Sequence, residues 1–275
     1  MKMPTSKENT LDVYFCNDMI PRFHGSLGQR SFCLLGLPWH YRWRNEQDFE
    51  MEKLDVLKKT FPWEHPASSA VKTSLILTDE EKEFIIARQL GYLDSYHVYV
   101  YLTGRLCLLF AGFLAGHFAN VQLGLYRGEV KRGQALASRR PAIIGGAIYS
   151  LCMLAGFGLS VIFTDSYKCS LDAYADKYAG TINPEFSLAG YNYYNKVLNG
   201  NKSLREILPN GEKLFTIFGN ETRGVIRLKT RPLVSRRDYL KKLHERQLEG
   251  GDKIPPHSSQ DATSDFFSIT KHFKN

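Results

Sequence analysis

The five cysteines of this 275-residue chain, Cys16, Cys33, Cys107, Cys152 and Cys169, form no C-x-x-C pair and no zinc-ribbon spacing. That excludes a ribbon-type metal site and leaves no sign of a disulfide framework. The opening residues MKMPTSKENTLD lack the apolar core of a secretory signal. With Glu8, Asp12 and no arginine they also make a poor transit peptide. Targeting is therefore expected to rest on an internal segment, or the sequence to begin inside a longer chain. Acids are in deficit, 28 against 36 Lys and Arg, for a net charge of +8. The basic residues are dispersed and accompany no nucleic-acid-binding motif. Nucleic acid is not an expected partner, and the excess reads as membrane-related.

Charge is absent altogether from residues 142–164, AIIGGAIYSLCMLAGFGLSVIFT. These 23 residues rise roughly 34 Å as a helix. That is enough to cross a hydrocarbon core of about 30 Å with some tilt. Residues 101–125 form a weaker apolar run, with Arg105 near one end, placed to snorkel, and His117 inside. Gly112 and Gly116 form a GxxxG that allows close packing against the second run. Two buried helices of a soluble core are the competing reading, but soluble helices rarely run this long without a polar face. The mean hydropathy of -0.29 keeps most of the chain outside the bilayer. The expected fold is a mainly α membrane protein with minor β, a two-helix transmembrane hairpin flanked by mostly helical soluble segments. The lipid bilayer is the first expected partner.

The expected layout is a poorly defined N-terminal segment (1–68), a soluble motif-helix region (69–97), the hairpin (98–164) with a basic loop (127–141), a soluble helical region (165–248) and a disordered tail (249–275). Within it, residues 1–30 read as loosely structured and 31–43 as a strand followed by a turn. Residues 44–59 read as helix and 69–77 as β-compatible. Thr78 and Glu81 form a capping box, followed by the apolar stripe Ile86, Leu90 and Leu93. The loop between the spans sets Arg127, Lys131, Arg132, Arg139 and Arg140 against Glu129. By the positive-inside rule it faces the cytoplasm or a mitochondrial matrix, with both soluble parts on the opposite side. Beyond the hairpin, helices are expected over 167–180, 186–198, 203–208 and 231–248, and a strand pair over 213–218 and 225–229. Asn201-Lys202-Ser203 and Asn220-Glu221-Thr222 match the glycosylation sequon.

The capped helix reads TDEEKEFIIARQLGYL. It resembles the motif helix of the HtpX-like membrane zinc metallopeptidases, in which a similar acidic lead-in precedes H-E-L-G-H. Two histidines at i and i+4 bind zinc there, and the Glu between them activates water. This chain has Arg88, Gln89 and Tyr92 at those places. Arg88 is a permanent cation, Gln89 is no base, and Tyr92 is a poor zinc ligand at neutral pH. That family's second half is an E-x-x-A-D helix after a membrane hairpin. LDAYADKYAG puts Asp172 at the ligand place and Asp176 at the pattern's end. The resemblance implies a degenerate zinc-metallopeptidase-like fold without its catalytic chemistry. Arg88 is expected to form an ion pair with Asp172 or Asp176 in place of a metal bridge, and no metal or cofactor is expected.

A broader match joins LILTDEEKEFIIARQLGYLDS, two spans, NYYNKVLNGNKSLREILPNGEKLFTIFGN and IRLKTRPLVSRRD in one order. Over residues 69–240 the chain is similar to the transmembrane protein 177 family. That resemblance implies a multi-pass mitochondrial inner-membrane protein with no assigned enzymatic activity. It further implies a role in assembling cytochrome c oxidase, by stabilising newly made subunit 2 with its assembly chaperone and copper-delivery proteins.

Two function classes follow. One is a non-enzymatic assembly factor. Its binding surface would combine the hairpin, the helix carrying Tyr191, Tyr193 and Tyr194, and the basic residues Arg227, Arg231, Arg236 and Arg237. Ordinary packing is the plainer role for the tyrosines, and a solvated or lipid-headgroup face for the arginines. The other is a membrane-bound zinc metallopeptidase-like hydrolase with an unconventional site, needing Asp172, Asp176 and a histidine such as His40 or His97.

Overall fold

In the computed structural model, the described residues are 11–27, 33–48, 63–125, 139–222 and 230–250. In chain order they form strands β1 (Leu11–Cys16), β2 (Arg22–His24) and β3 (Cys33–Pro38), then helices α1 (Ser68–Leu75), α2 (Asp79–Asp94) and α3 (His97–Gln122). Helices α4 (Arg139–Gly180), α5 (Pro184–Ile207), α6 (Gly211–Leu214) and α7 (Leu233–Leu248) follow. Among the described residues helix accounts for 71% and strand for 9%, so the fold is mainly α with minor β. The chain divides into two compact units. One contains residues up to 96 together with 169–222 and 230–250, and the other contains 97–125 and 139–168.

In the first unit β3 is the middle strand, parallel to β1 and antiparallel to β2. Its Cys33, Leu35 and Leu37 are buried and belong to one apolar core with Phe84, Ile85 and Leu93 of α2. Eleven of the sixteen residues of α2 are buried, so this helix is wrapped on all sides. Its capping box forms as expected, with Glu81 N donating to Thr78 Oγ1 at 3.3 Å and Thr78 N donating to Glu81 Oε2 at 2.8 Å. The same Glu81 carboxylate receives Lys196 Nζ of α5 at 2.7 Å, tying the helix start to its neighbour. Helix α5 packs against α1, α2, α6 and α7.

Several local expectations give way to tertiary contacts. Residues 11–24 carry two strands instead of loose chain, because β1 and β2 both pair with β3. The β-compatible 69–77 is helical as α1, whose Val71 and Leu75, four apart, pack with Trp43 and Leu204. The second apolar run and the expected helix over 167–180 form one helix, α4. The expected stop at Asn199-Gly200-Asn201 is absent, and α5 runs to Ile207. There Gly200 lets α1 approach, since a Cβ would lie 2.4 Å from Ser74 Oγ, and Asn201 Nδ2 donates to Gly219 O at 2.8 Å. The expected strand pair reduces to α6 and one bridge between Phe215 and Glu221. Its second half lies outside the described residues, as do 127–138 of the basic loop, most of 44–59 and the tail from 251.

The second unit holds two helices long and apolar enough to cross a membrane. Gly112 and Gly116 are buried between them. A Cβ on Gly112 would lie 2.8 Å from Cys152 O, and one on Gly156 would lie 2.9 Å from Leu108 O. The spans therefore meet backbone to backbone, as the GxxxG requires.

In the first unit α5 makes a close helix-to-helix approach at Gly190. A Cβ there would sit 2.5 Å from the Phe84 ring and 2.7 Å from Leu240. Gly190→Ala is expected to destabilise the protein by about 1–3 kcal/mol through overpacking. Gly158→Ala, with nothing within 4 Å, should be near neutral. Thermal unfolding of the two variants in one detergent checks the contrast.

Candidate functional site

In the first unit, helices α2, α5 and α7 and the part of α4 from residue 169 on bring six side chains to one buried point. Arg88 and Tyr92 lie one turn apart on α2, and Asp172 and Asp176 one turn apart on α4. Tyr194 comes from α5 and Arg236 from α7. All six are less than a tenth exposed.

Arg88 Nε donates to Asp176 Oδ1 at 2.9 Å, and Arg88 Nη2 donates to Asp172 Oδ1 at 2.8 Å. Both ion pairs considered for Arg88 therefore form at once. Nη2 also donates to Tyr92 Oη at 2.8 Å, and that hydroxyl donates to Asp172. On the opposite side Arg236 Nε donates to Asp176 Oδ2 at 2.7 Å and Nη2 to Asp176 Oδ1 at 2.8 Å, a two-point grip on one carboxylate. Tyr194 Oη donates to Asp176 Oδ1 at 2.7 Å and receives Arg236 Nη2. Arg236 Nη1 lies 3.5 Å from Asp172 Oδ1, which links the two halves. Each guanidinium also lies over a tyrosine ring, Arg88 over Tyr92 at 4.8 Å and Arg236 over Tyr194 at 4.6 Å. Phe23 of β2 stacks on the Tyr92 ring at 4.9 Å, so the sheet backs the cluster.

Two fixed positive charges meet two carboxylates, with every partner hydrogen-bonded, which is the condition for burying ions at tolerable cost. Burial raises the phenol pKa of Tyr92 and Tyr194 above the usual value, against the pull of the neighbouring arginines. Burial works against the charged form of Arg88 and Arg236, but the facing tyrosines and aspartates outweigh it, and both are held above the usual arginine range. At physiological pH the cluster holds two cations and two neutral phenols; the hydroxyls donate to the carboxylates, and the guanidinium groups donate to carboxylates and hydroxyls alike.

The three places that correspond to zinc ligands in the metallopeptidase pattern, Arg88, Tyr92 and Asp172, do converge. A guanidinium nitrogen sits where it donates to both other side chains. This donor set does not fit a metal, because Asp172 and Asp176 each face an arginine within 3 Å. Among the described residues no three His, Cys, Asp or Glu side chains group as a metal site needs. Gln89 is buried beside Arg88 in sequence, and its Oε1 has no hydrogen-bond partner. His40 is buried against the Tyr41 and Trp43 rings. Burial, with a contribution from the Lys82 charge, pushes its pKa down to about 3, so it is neutral. His97 begins α3 and packs edge-on to Tyr101.

Tyr194 and Arg236, expected on a partner-binding surface, lie inside the cluster instead. Tyr191 and Tyr193 are half-buried against the same core. Arg237 is engaged with Asp238 at 2.6 Å, Arg231 donates its backbone N–H to Asp172 Oδ2 at 3.4 Å, and Arg227 lies outside the described residues. The sequence did carry a signal for Arg236. It falls on the apolar stripe of α7 with Leu233, Leu240 and Leu243, and a charge on such a stripe marks a buried pair. Both sequon asparagines have structural work, since Asn201 holds Gly219 O and Asn220 Oδ1 accepts Val234 N at 3.1 Å.

The family model described as Transmembrane protein 177 matches residues 16–253. A human protein named Transmembrane protein 177 is 28% identical over 194 residues, covering 70% of this chain and 58% of the relative. The Rattus norvegicus protein of that name is 28% identical over 193 residues, 69% of this chain and 58% of the relative. The Mus musculus one is 25% identical over 191 residues, with 69% and 58% covered. The chain thus spans 58% of the length of these curated relatives. No solved structure matches it.

Removing one partner strands the others. Asp176→Asn is expected to cost about 3–5 kcal/mol of stability, because it leaves buried arginines under-compensated. Arg88→Asp combined with Asp172→Arg should recover part of the loss of either single change, and no rescue in a denaturant-unfolding cycle would count against the pairing. Stability should also fall on both sides of neutrality. Tyr92 and Tyr194 have raised folded-state pKa values, so their contribution is full below about pH 10 and lost above it. His40 has a lowered one, so its contribution is full above about pH 6.5 and lost as pH falls toward 3. Unfolding midpoints measured from pH 4 to 11 check both limbs, and His40→Gln should flatten the acid limb alone.

Proposed function

The chain belongs to the transmembrane protein 177 family, and from that premise we propose that it is a non-enzymatic assembly factor of the mitochondrial inner membrane. In this reading it stabilises newly made cytochrome c oxidase subunit 2 together with its assembly and copper-delivery chaperones. The observation that carries the non-enzymatic part is the filled cluster. At the positions where a metallopeptidase of the resembling type holds zinc and its general base, this chain has Arg88, Gln89 and Tyr92, and Arg88 and Tyr92 close on the carboxylates of α4. A guanidinium neither binds a metal nor gives up its proton at neutral pH. What the cluster supplies is a fixed clamp on four helices, which suits a scaffold that must present a constant surface to an unassembled membrane protein.

The identity of the client and the compartment rest on the family resemblance, and the membrane location on the two spans. The test is a pull-down of the tagged chain from detergent-solubilised mitochondria, read by mass spectrometry, with metal content measured on the same eluate. Oxidase subunit 2 and its chaperones, without stoichiometric zinc, are expected. Zinc near one per chain without those partners would overturn the scaffold reading in favour of a hydrolase.

A further inference from the structure

One turn of the first unit exposes apolar side chains from a rigid mount. After α6 the chain closes the Phe215–Glu221 bridge and doubles back. Thr216 N donates to Asn220 O at 2.8 Å, Gly219 N to Thr216 O at 2.9 Å and Thr222 N to Leu214 O at 2.7 Å. Asn201 Nδ2 of α5 holds Gly219 O. Gly219 has a φ of +81°, and a Cβ there would lie 2.3 Å from Leu198 O, so the turn sits directly on α5. From this mount Leu214, Ile217 and Phe218 project at 40%, 66% and 64% exposure.

We propose that this turn is a lipid-contacting element, with Ile217 and Phe218 entering the boundary between headgroups and acyl chains of a bilayer. Three observations favour lipid over a protein. The patch is three side chains, on the order of a few hundred Å², well below the roughly 800 Å² per partner of a stable protein interface. Residues 216–219 carry no charge, and the charged Glu212, Lys213 and Glu221 flank them. Internal bonds occupy Thr216 N and O, Gly219 N and Asn220 O, backbone groups that would otherwise resist leaving water. Two membrane spans keep the chain at a bilayer permanently, so a weak apolar contact is made at high effective concentration. The lipid contact is independent of any client.

The test uses the full chain in phosphatidylcholine vesicles, with a photo-crosslinking phenylalanine analogue at position 218. A control carries it at position 248, where Leu248 is 69% exposed at the end of α7. Lipid adducts several-fold above the control at 218 are expected. Yields equal to the control, or a dominant crosslink to a second copy of the chain, would overturn the proposal. Ile217→Asp alters only an exposed side chain and should lower the lipid adduct at 218 several-fold with unchanged circular dichroism. An unchanged yield would equally overturn it.

Discussion

Burying an arginine without a counter-charge costs several kcal/mol, a large share of a domain's margin of stability, so helices that carry buried charges close together or not at all. In this protein the constraint falls on α2, α4, α5 and α7. Asp176 is the most heavily used member, taking hydrogen bonds from Arg88, Tyr194 and both ends of the Arg236 fork. Because the partners come from segments as far apart as residues 88 and 236, the cluster selects one mutual arrangement of these helices and penalises registers that would leave an ion unpaired. Apolar packing alone tolerates small slips, whereas a two-point guanidinium grip does not.

The apolar core around the cluster depends on the same arrangement. Helix α2 is buried on nearly every side, which only a helix with a solved polar problem can be. Its start is satisfied by the capping box and Lys196, and its charged side chain Arg88 by the aspartates. Gly190 then brings α5 and α7 close enough to α2 for Leu240 and Phe84 to meet across it. In the second unit glycines have the same use, setting the two spans at backbone contact around Gly112 and Gly156. In both units a missing Cβ sets the helix spacing. Only in the first does charge also fix the register.

Reading the chain in order recovers features whose cause is local. The capping box at Thr78, the uncharged run at 142–164 and the i, i+4 placement of Arg88 with Tyr92 and of Asp172 with Asp176 are properties of neighbouring residues, and they appear where the pattern puts them. The strand β1 was invisible because its pairing partner lies 22 residues away. The apparent stop at Asn199-Gly200-Asn201 misled because its residues pack against α1 and the 216–219 turn, both distant in sequence.

Residue identity alone was enough to mark two runs long and apolar enough to cross a membrane and to show that Arg88 and Gln89 are not metal ligands, since side-chain identity settles charge, hydropathy and ligand capacity without geometry. How these side chains pair is settled by contacts between distant segments. Arg88 pairs with both aspartates, Arg236 from the far end of the chain supplies the second cation, and Tyr194 turns inward instead of facing a partner. Charge balance in a buried site is a property of the whole set of ions brought to one point, and no single segment contains that set.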